Sequence, residues 1–326
     1  MGFKLPKRET MDVLNMYKPR FINNPDLPQD YLSFREKSEV RVQEALIHII
    51  GETHPREHYT QDECRGFFRG PTALAYLLLR IHAIYPEIKI RGESPQYWAS
   101  SYLSAKRTGG NSASCGLACE SAAYYAVEAM LDETKAPRFR DELGKIVEEE
   151  EHPYEILFGL TGLLYMIRAV EFFKPETASL LITLKARIVD KTLAAGPAWT
   201  FRGKRYIGAV HGDVGILTQL LLTDPSLATN SIVRKSLQRQ LQLQHESGNW
   251  PTRDPTPEFD RVYLELVQFC HGAPGFVLSL LHLEQMLPDM KEQIGNAIML
   301  GRKCIWQEGL LKKEPCLCHG ILGNSL

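Results

Sequence analysis

The sequence lacks any long hydrophobic run and has almost no net charge. Its 326 residues carry 38 Lys and Arg against 39 Asp and Glu, which leaves a formal net charge of −1. This balance argues against a nucleic-acid surface built from bulk charge. The longest strongly apolar stretch, residues 156–167, is shorter than the roughly 20 residues that span a bilayer. We therefore expect no nucleic-acid partner and no transmembrane segment, and peripheral membrane association stays open.

The N-terminus also lacks a targeting signal. Lys4, Lys7 and Arg8 have no apolar block behind them, so we find no secretory signal and predict a cytoplasmic protein. We take residues 1–33 as an N-terminal extension. The seven cysteines are an odd number, and without a signal they are better explained as thiols or metal ligands than as a disulfide framework.

Apolar residues recur at helical spacing, and no long alternating strand pattern appears. Some segments are amphipathic, as helices that pack on one side are, and others are apolar all round, as buried helices are. The amphipathic segments are 34–51, 177–195, 226–245 and 289–306; the apolar segments are 73–81, 121–131, 163–170, 216–222 and 276–283. Because the two kinds alternate, we predict an all-α fold with inner and outer helix layers.

Each apolar segment begins at a Gly-x-x-Gly or Gly-x-x-small motif. The first glycines are Gly70, Gly116, Gly159, Gly212, Gly272 and Gly320, spaced 43 to 60 residues apart. Six motifs in phase with the helices indicate a repeat protein. We expect the first glycine to allow a tight turn and the second small residue to let inner helices approach closely. Amides at clustered helix starts favour anions or thiolates, so one mouth of a toroid becomes a candidate active site. The alternative is that the glycines serve packing alone.

The residues that can carry chemistry lie in the last repeats. Cys270-His271-Gly272 and Cys318-His319-Gly320 are near copies, 48 residues apart. Thiolate and neutral imidazole are the ligands that zinc prefers, and a catalytic zinc site uses three protein ligands and an open position. The alternative is a pair of buried cysteines with capping histidines.

Four motifs resemble those of the lanthionine synthetase C-like family, and the eukaryotic branch is the closer match. They are Tyr206-Ile-Gly-Ala-Val-His211-Gly, Gly248-Asn-Trp-Pro, Cys270-His-Gly-Ala-Pro-Gly and Cys318-His-Gly-x-x-Gly-Asn, and the resemblance extends from about Arg65 to Leu326. It implies an α/α toroid of seven helical hairpins, which we assign to residues 34–326.

The resemblance also implies the site residues. One zinc ion would be held by Cys270, Cys318 and His319, with His271 beside the site but not a ligand. His211 would lie over the metal as a general acid or base; the alternative is a hydrogen-bonded cap. Lys313 matches a lysine that this branch carries five residues before its second zinc cysteine. It would hold a glutathione carboxylate or stabilise an enolate, unless it is simply a solvated charge.

The activity that the resemblance implies is a transferase reaction, the addition of glutathione to dehydroalanine or dehydrobutyrine in proteins, which forms a thioether. A coordinated thiol is deprotonated, so zinc would supply thiolate at neutral pH. The alternative is a non-catalytic adaptor that binds glutathione or protein on the same fold. Toroids that act on sugars or isoprenoids are disfavoured because Asp213 is the lone carboxylate among the helix starts.

Several further residues have two readings. Cys115 and Cys119 form a second metal site or, more simply, pack; Tyr206 and Trp250 line the cleft or pack; Arg69 meets an acidic substrate or lies on the surface. Family members often carry an aspartate in the second repeat, where this chain has Leu117 and, nearby, Glu120. Residues 148–151 are expected to be a solvated acidic run and residues 254–260 a surface loop.

The chain ends where the sixth inner helix begins, because Leu326 lies seven residues after His319. Six of seven expected repeats are therefore begun and the seventh is missing. We expect a fragment or truncated product that forms an open arc, with apolar flanks exposed beside the gap. The three candidate zinc ligands remain.

Overall fold

The structure is a computed structural model that describes residue 22 and residues 31–108, 113–149, 151–254 and 266–326. Most of the proposed N-terminal extension and of the 254–260 loop lies outside these residues. The helices are α1 (Tyr31–Glu52), α2 (Pro71–Ile84), α3 (Pro95–Leu103), α4 (Glu120–Leu131), α5 (Ala136–Glu148), α6 (Leu160–Phe173), α7 (Ala178–Ala194), α8 (Asp213–Thr223), α9 (Ser231–Gln242), α10 (Ala273–Leu283), α11 (Lys291–Glu308) and α12 (Ile321–Asn324). The predicted all-α class is confirmed.

The helices form the two predicted layers. The even-numbered helices α2 to α10 pack side by side in sequence order as the inner layer, and each packs against the outer helix that follows it. In α8 every residue from Asp213 to Leu221 is buried, as expected of a helix enclosed on all sides. In α5 the buried residues form one stripe, which includes Phe139, Leu143 and Ile146.

Three details differ from the sequence prediction. Helices α3 and α5 were not predicted, and α1 exposes Val40 (58% accessible) and Val42, burying Leu46 and Ile50 instead. Strands β1 (His58–Thr60) and β2 (Lys106–Thr108) form a parallel pair, with His58 opposite Lys106. Strands of three residues are too short for an alternating pattern to be visible. Among the described residues, no helix is both long and apolar enough to cross a membrane.

The loop before each inner helix, which we call a repeat loop, is bonded to the next repeat loop through the backbone. Phe67 N–H donates to Leu117 O at 2.8 Å, Leu117 N–H to Ile156 O at 3.0 Å, and Ile156 N–H to Val210 O at 3.2 Å. The last link runs from Cys270 N–H to Cys318 O at 3.0 Å. These bonds hold the starts of the inner helices at one mouth of the fold.

The second glycine of four motifs has a role that differs from our expectation. A Cβ atom at Gly162, Gly215, Gly275 or Gly323 would lie 1.9–2.1 Å from the carbonyl oxygen six residues earlier. The small residue therefore admits its own repeat loop, more than the neighbouring inner helix. At Gly272, φ is +105°, so this first glycine makes the tight turn that L-residues disfavour.

We predict that Gly162→Ala lowers the free energy of unfolding by about 2 kcal/mol or more, because the new Cβ overlaps backbone atoms that cannot move aside. Its Cβ would lie 2.1 Å from Ile156 O and 2.7 Å from Leu117 N. The matched control is Gly144→Ala in α5, where a Cβ meets no atom within 4 Å. This control should gain up to about 1 kcal/mol from helix propensity. Denaturant unfolding of both variants tests the prediction, and equal effects would contradict it.

Candidate active site

Four repeat loops bring chemically active side chains to the mouth of the fold. His211, His271 and His319 each precede the first glycine of a motif, and Cys270 and Cys318 precede two of these histidines. The backbone bond between Cys270 and Cys318 fixes the spacing of the last two loops. The sequence predicted this convergence, and the following paragraphs describe what each residue contacts.

Cys270 and Cys318, which we call the thiol pair, are hydrogen-bonded to each other through their side chains. The bond from Cys270 lowers the pKa of Cys318, and a second bond from His319 lowers it further against the opposing effect of burial. The same contact and burial raise the pKa of Cys270, which also lies 3.7 Å from Gln268 Oε1. One sulfur of the pair is therefore disposed to lose its proton before the other.

The donor set around the thiol pair is suited to zinc in its chemistry. Two sulfurs and the His319 imidazole are in mutual contact, and thiolate with imidazole is a typical zinc donor set. The His319 side chain is 46% exposed and lies 3.9 Å from Glu314 Oε1. Across the described residues, no group of three or more His, Cys, Asp or Glu side chains is assembled as a metal site. The residues fit the ion by type, and a closed three-ligand cage is not assembled.

His211 is held by a carboxylate that our sequence reasoning missed. Its Nδ1 lies 2.8 Å from Glu155 Oε2, and the Glu155 side chain is 1% exposed. Glu155 also accepts the backbone N–H groups of Leu157 at 2.9 Å and Phe158 at 2.5 Å. An acceptor on Nδ1 assigns the proton to that nitrogen and leaves Nε2 for exchange with a substrate. An isolated acid directly before the apolar stretch 156–167 was the signal available in the sequence.

Glu120, the acid that we noted in the second repeat, serves a different purpose. Its carboxylate accepts bonds from Gly66 N–H at 2.8 Å, Thr72 Oγ1 at 2.5 Å and Arg107 Nε at 3.2 Å. It thereby ties the first repeat to the second. The third repeat supplies the acid that contacts His211.

A cavity of about 460 Å³ lies beside this Glu120 network and is separate from the predicted site. Its lining includes Lys106, Arg107, Tyr124 and Tyr125 and none of the predicted site residues. Arg107 donates to Glu120, Thr72 and three backbone carbonyls, so its guanidinium is fully used within the protein. The geometry of the thiol pair therefore decides the site better than the size of this cavity.

Aromatic rings surround His211. Phe201 stacks on its imidazole at 4.7 Å with an interplanar angle of 5°, and Phe158 lies parallel at 6.3 Å. Tyr206 lies 6.0 Å from His211 and 5.4 Å from His271. Burial, followed by the charge of His211, lowers the pKa of His271 to about 4, so His271 is neutral at pH 7. Its Nδ1 is buried without a hydrogen-bond partner among the described residues.

The other predicted residues take one of their two readings. Tyr206 lines the cleft, whereas Trp250 is fully buried and stacks on Phe276 at 4.4 Å. Arg69 lies on the surface and donates to Asp62 O. Cys115 and Cys119 are both fully buried in hydrophobic core, and burial raises the pKa of each. These two thiols therefore behave as packing residues.

Lys313 lies in the exposed loop between α11 and α12. Its charge acts on Cys270 and opposes the rise in the pKa of that thiol. The ammonium group is thus within electrostatic range of the thiol pair, as a residue that meets a carboxylate there would need to be. This position does not by itself distinguish a catalytic lysine from a solvated charge.

Asp213 is the first residue of α8 and is completely buried. Its Oδ2 accepts Arg205 Nη2 at 2.9 Å and Gln240 Nε2 at 3.0 Å. Burial raises its pKa to about 6 in spite of Arg205, which acts in the opposite direction. The segment between Arg205 and Asp213 carries Tyr206 and His211, so this ion pair belongs to the surroundings of the site.

Comparison with known proteins identifies relatives. The family model described as lanthionine synthetase C-like protein matches residues 67–326. Glutathione S-transferase LANCL1 from Danio rerio is 31% identical over 193 residues, or 53% of this chain and 45% of the relative. LanC-like protein GCL1 from Arabidopsis thaliana is 27% identical over 217 residues, or 60% of this chain and 48% of the relative. The chain thus spans about half the length of the curated relatives it matches.

Among solved structures, nisin cyclase is similar with a TM-score of 0.60 and 16% sequence identity, and the match covers 88% of this chain and 80% of that chain. At this identity the likeness concerns the fold alone. It confirms the predicted α/α toroid with inner and outer helices.

We predict that Asp213→Asn raises the free energy of unfolding above pH 6 by up to about 3 kcal/mol, from the rise in pKa of about two units. The native pKa of about 6 exceeds the ordinary value of 3.8, so the folded chain binds the proton more tightly. Stability is then greatest below pH 4 and falls as the pH rises towards 6. Asparagine avoids the cost of the buried charge, so the two proteins should differ above pH 6 and agree below pH 4.

The control for this prediction is Asp289→Asn, which has the opposite sign. Asp289 is paired with Arg234 on the surface, and this hydrogen bond lowers its pKa. Its contribution is present at neutral pH and is lost as the pH falls, so this variant should be slightly less stable than wild type at pH 7. Thermal unfolding from pH 4 to pH 8 measures both, and a flat difference for Asp213→Asn would refute the assignment.

Proposed function

The chain belongs to the lanthionine synthetase C-like family, and we propose that it adds glutathione to dehydroalanine and dehydrobutyrine residues of proteins or peptides in a zinc-dependent reaction. The observation that carries this proposal is the thiol pair, in which one sulfur is disposed to lose its proton beside His319. The name of the Danio rerio relative, a glutathione S-transferase, supports glutathione as the thiol. The product would be a thioether.

Cys270, Cys318 and His319 are the residues that would hold the metal. Zinc, when bound, stabilises the thiolate form of a thiol at neutral pH. Lys313 would meet a carboxylate of glutathione, because its charge already acts on the site. All seven cysteines of the chain are free. Since such thiols persist in a reducing compartment, we propose a cytoplasmic location.

The addition balances with one proton from His211. The glutathione sulfur forms a bond to the β-carbon of the dehydroamino acid, the C=C π electrons move to the α-carbon, and the thiol proton leaves to solvent. His211 Nε2 then gives a proton to the α-carbon, while Glu155 accepts the bond from Nδ1 and stabilises the protonated ring before transfer. Neutral His271 and Tyr206 enclose the reacting groups without adding a second charge.

We predict that the purified chain binds one zinc ion and that Cys318→Ala loses both the metal and thioether formation, because it removes the sulfur of lower pKa from the thiol pair. The matched control is Cys316→Ser, since Cys316 lies two residues away and its sulfur accepts the His319 N–H at 3.3 Å. This control should keep its zinc. Metal analysis and mass spectrometry of a dehydroalanine peptide with glutathione provide the measurements.

Three results of this experiment have distinct meanings. Zinc with thioether product supports the proposal. Binding of zinc and glutathione without turnover would favour a non-catalytic adaptor. A chain that binds no zinc, or a Cys318→Ala variant with undiminished activity, would refute the proposed mechanism.

We predict that His211→Ala slows thioether formation by about 100-fold or more, the usual contribution of general acid–base catalysis, and leaves zinc content unchanged. Glu155→Gln should slow the reaction by about tenfold, because a neutral amide stabilises the protonated ring less than a carboxylate does. The control is Glu120→Gln, a second buried carboxylate that bonds no histidine. Single-turnover rates at fixed zinc occupancy test the series, and equal losses for both glutamate variants would contradict the assignment.

A further inference from the structure

One ion pair joins the two ends of the segment 205–213, which we call the His211 segment. Arg205 Nη2 and Nε lie 2.9 Å and 3.3 Å from Asp213 Oδ2. Tyr206 and His211, the two rings that face His271, lie between these ends. The pair therefore closes a loop around the residues that contribute most to the candidate site.

The backbone of the His211 segment follows the same closure. Asp213 N–H donates to Tyr206 O at 3.2 Å, Val214 N–H to Ile207 O at 3.1 Å, and Gly212 N–H to Gly208 O at 3.0 Å. These three bonds depend on the ends being held together. A loosened end would release Tyr206 first, since it is adjacent to Arg205.

Arg205 connects the segment to three neighbours. Its Nη1 lies 3.2 Å from Asp254 Oδ2 and its Nη2 donates to Pro197 O at 2.8 Å. Asp254 is in turn paired with Arg239 of α9, and its N–H donates to Arg205 O at 2.9 Å. The guanidinium thus holds the His211 segment against the 252–254 strand-like segment and the turn at Pro197.

Asp213 has a position that packing alone does not require. It is completely buried, its second bond comes from Gln240 of α9 at 3.0 Å, and its Oδ1 has no partner among the described residues. A buried carboxylate with an unused oxygen costs stability relative to a neutral residue. A charge kept at such a cost beside a candidate site points to a role in that site.

We propose that Asp213 is a positioning residue, which acts through Arg205 to fix where Tyr206 and His211 stand relative to the thiol pair. The catalytic part of this inference rests on the proposed function. The positional part does not, because it concerns the order of the segment in the protein without substrate. Asp213 itself touches no reacting atom in this arrangement.

The test compares Asp213→Ala with Asp289→Ala by hydrogen exchange and by thiol addition in the zinc-loaded chain. Asp289→Ala removes a surface partner of Arg234 and is remote from the site. In Asp213→Ala, amides 206–214 should exchange about tenfold faster or more, because their closing bonds are lost, while other repeat loops keep their protection. The turnover number should fall about tenfold, with KM and zinc content within about twofold of wild type.

Two further variants keep the test decisive. Asp213→Asn retains an acceptor for Arg205 and should recover protection and turnover to within about threefold of wild type. If Asp213→Ala does not fold, Arg205→Lys replaces it, because lysine keeps the charge but lacks the fork that reaches Asp213 and Asp254 together. It should loosen the same amides.

The outcomes separate this inference from the proposed function. Unchanged exchange of amides 206–214 would overturn it whatever the activity. Faster exchange with unchanged turnover, in a preparation whose wild type is active, would overturn the catalytic part. A wild type that adds no thiol refutes the proposed function and the catalytic role with it, and the exchange data still decide whether Asp213 fixes the segment.

Discussion

Backbone hydrogen bonds between successive repeat loops are the constraint on which the candidate site depends. The link from Ile156 to Val210 brings the third loop beside the fourth, and this is what places Glu155 on His211. The link from Cys270 to Cys318 does the same for the thiol pair. Because backbone groups are obligatory partners once buried, side chains that precede the helix starts are held close without any contact of their own. The toroid supplies the alignment, and the residue before each glycine supplies the chemistry.

The electrostatics of the site follow from an unequal distribution of burial. Glu155 and Asp213 are enclosed, whereas His319 and Lys313 face solvent. The enclosed carboxylates therefore act on fixed partners, His211 and Arg205, and the exposed groups remain accessible to a ligand. His271 is kept neutral between them. The arrangement gives one protonatable ring at the centre, beside two sulfurs of different proton affinity.

Much of this architecture could be predicted from the sequence because glycine motifs and apolar helices repeat in phase. The inner helices, the repeat loops and the convergence of Cys270, Cys318 and the three histidines all follow from that period. Glu155 was missed because its role depends on a contact 56 residues away, and periodicity carries no information on such pairs. Helix α5 was missed because only four of its residues, Phe139, Leu143, Ile146 and Val147, make up its stripe beyond Ala136. The ligand set of a metal also exceeds what spacing can decide, and it stays a prediction.

The glycine that admits a carbonyl six residues earlier has an evolutionary consequence. Successive motifs lie between 43 and 60 residues apart, yet in four of them the distance from carbonyl to glycine is constant. Insertions and deletions are therefore confined to the opposite rim of the ring, where inner helices turn into outer ones. An added residue within a repeat loop would slide Glu155 past His211 or separate the two sulfurs. One rim can diverge in length and partners while the other is held in register.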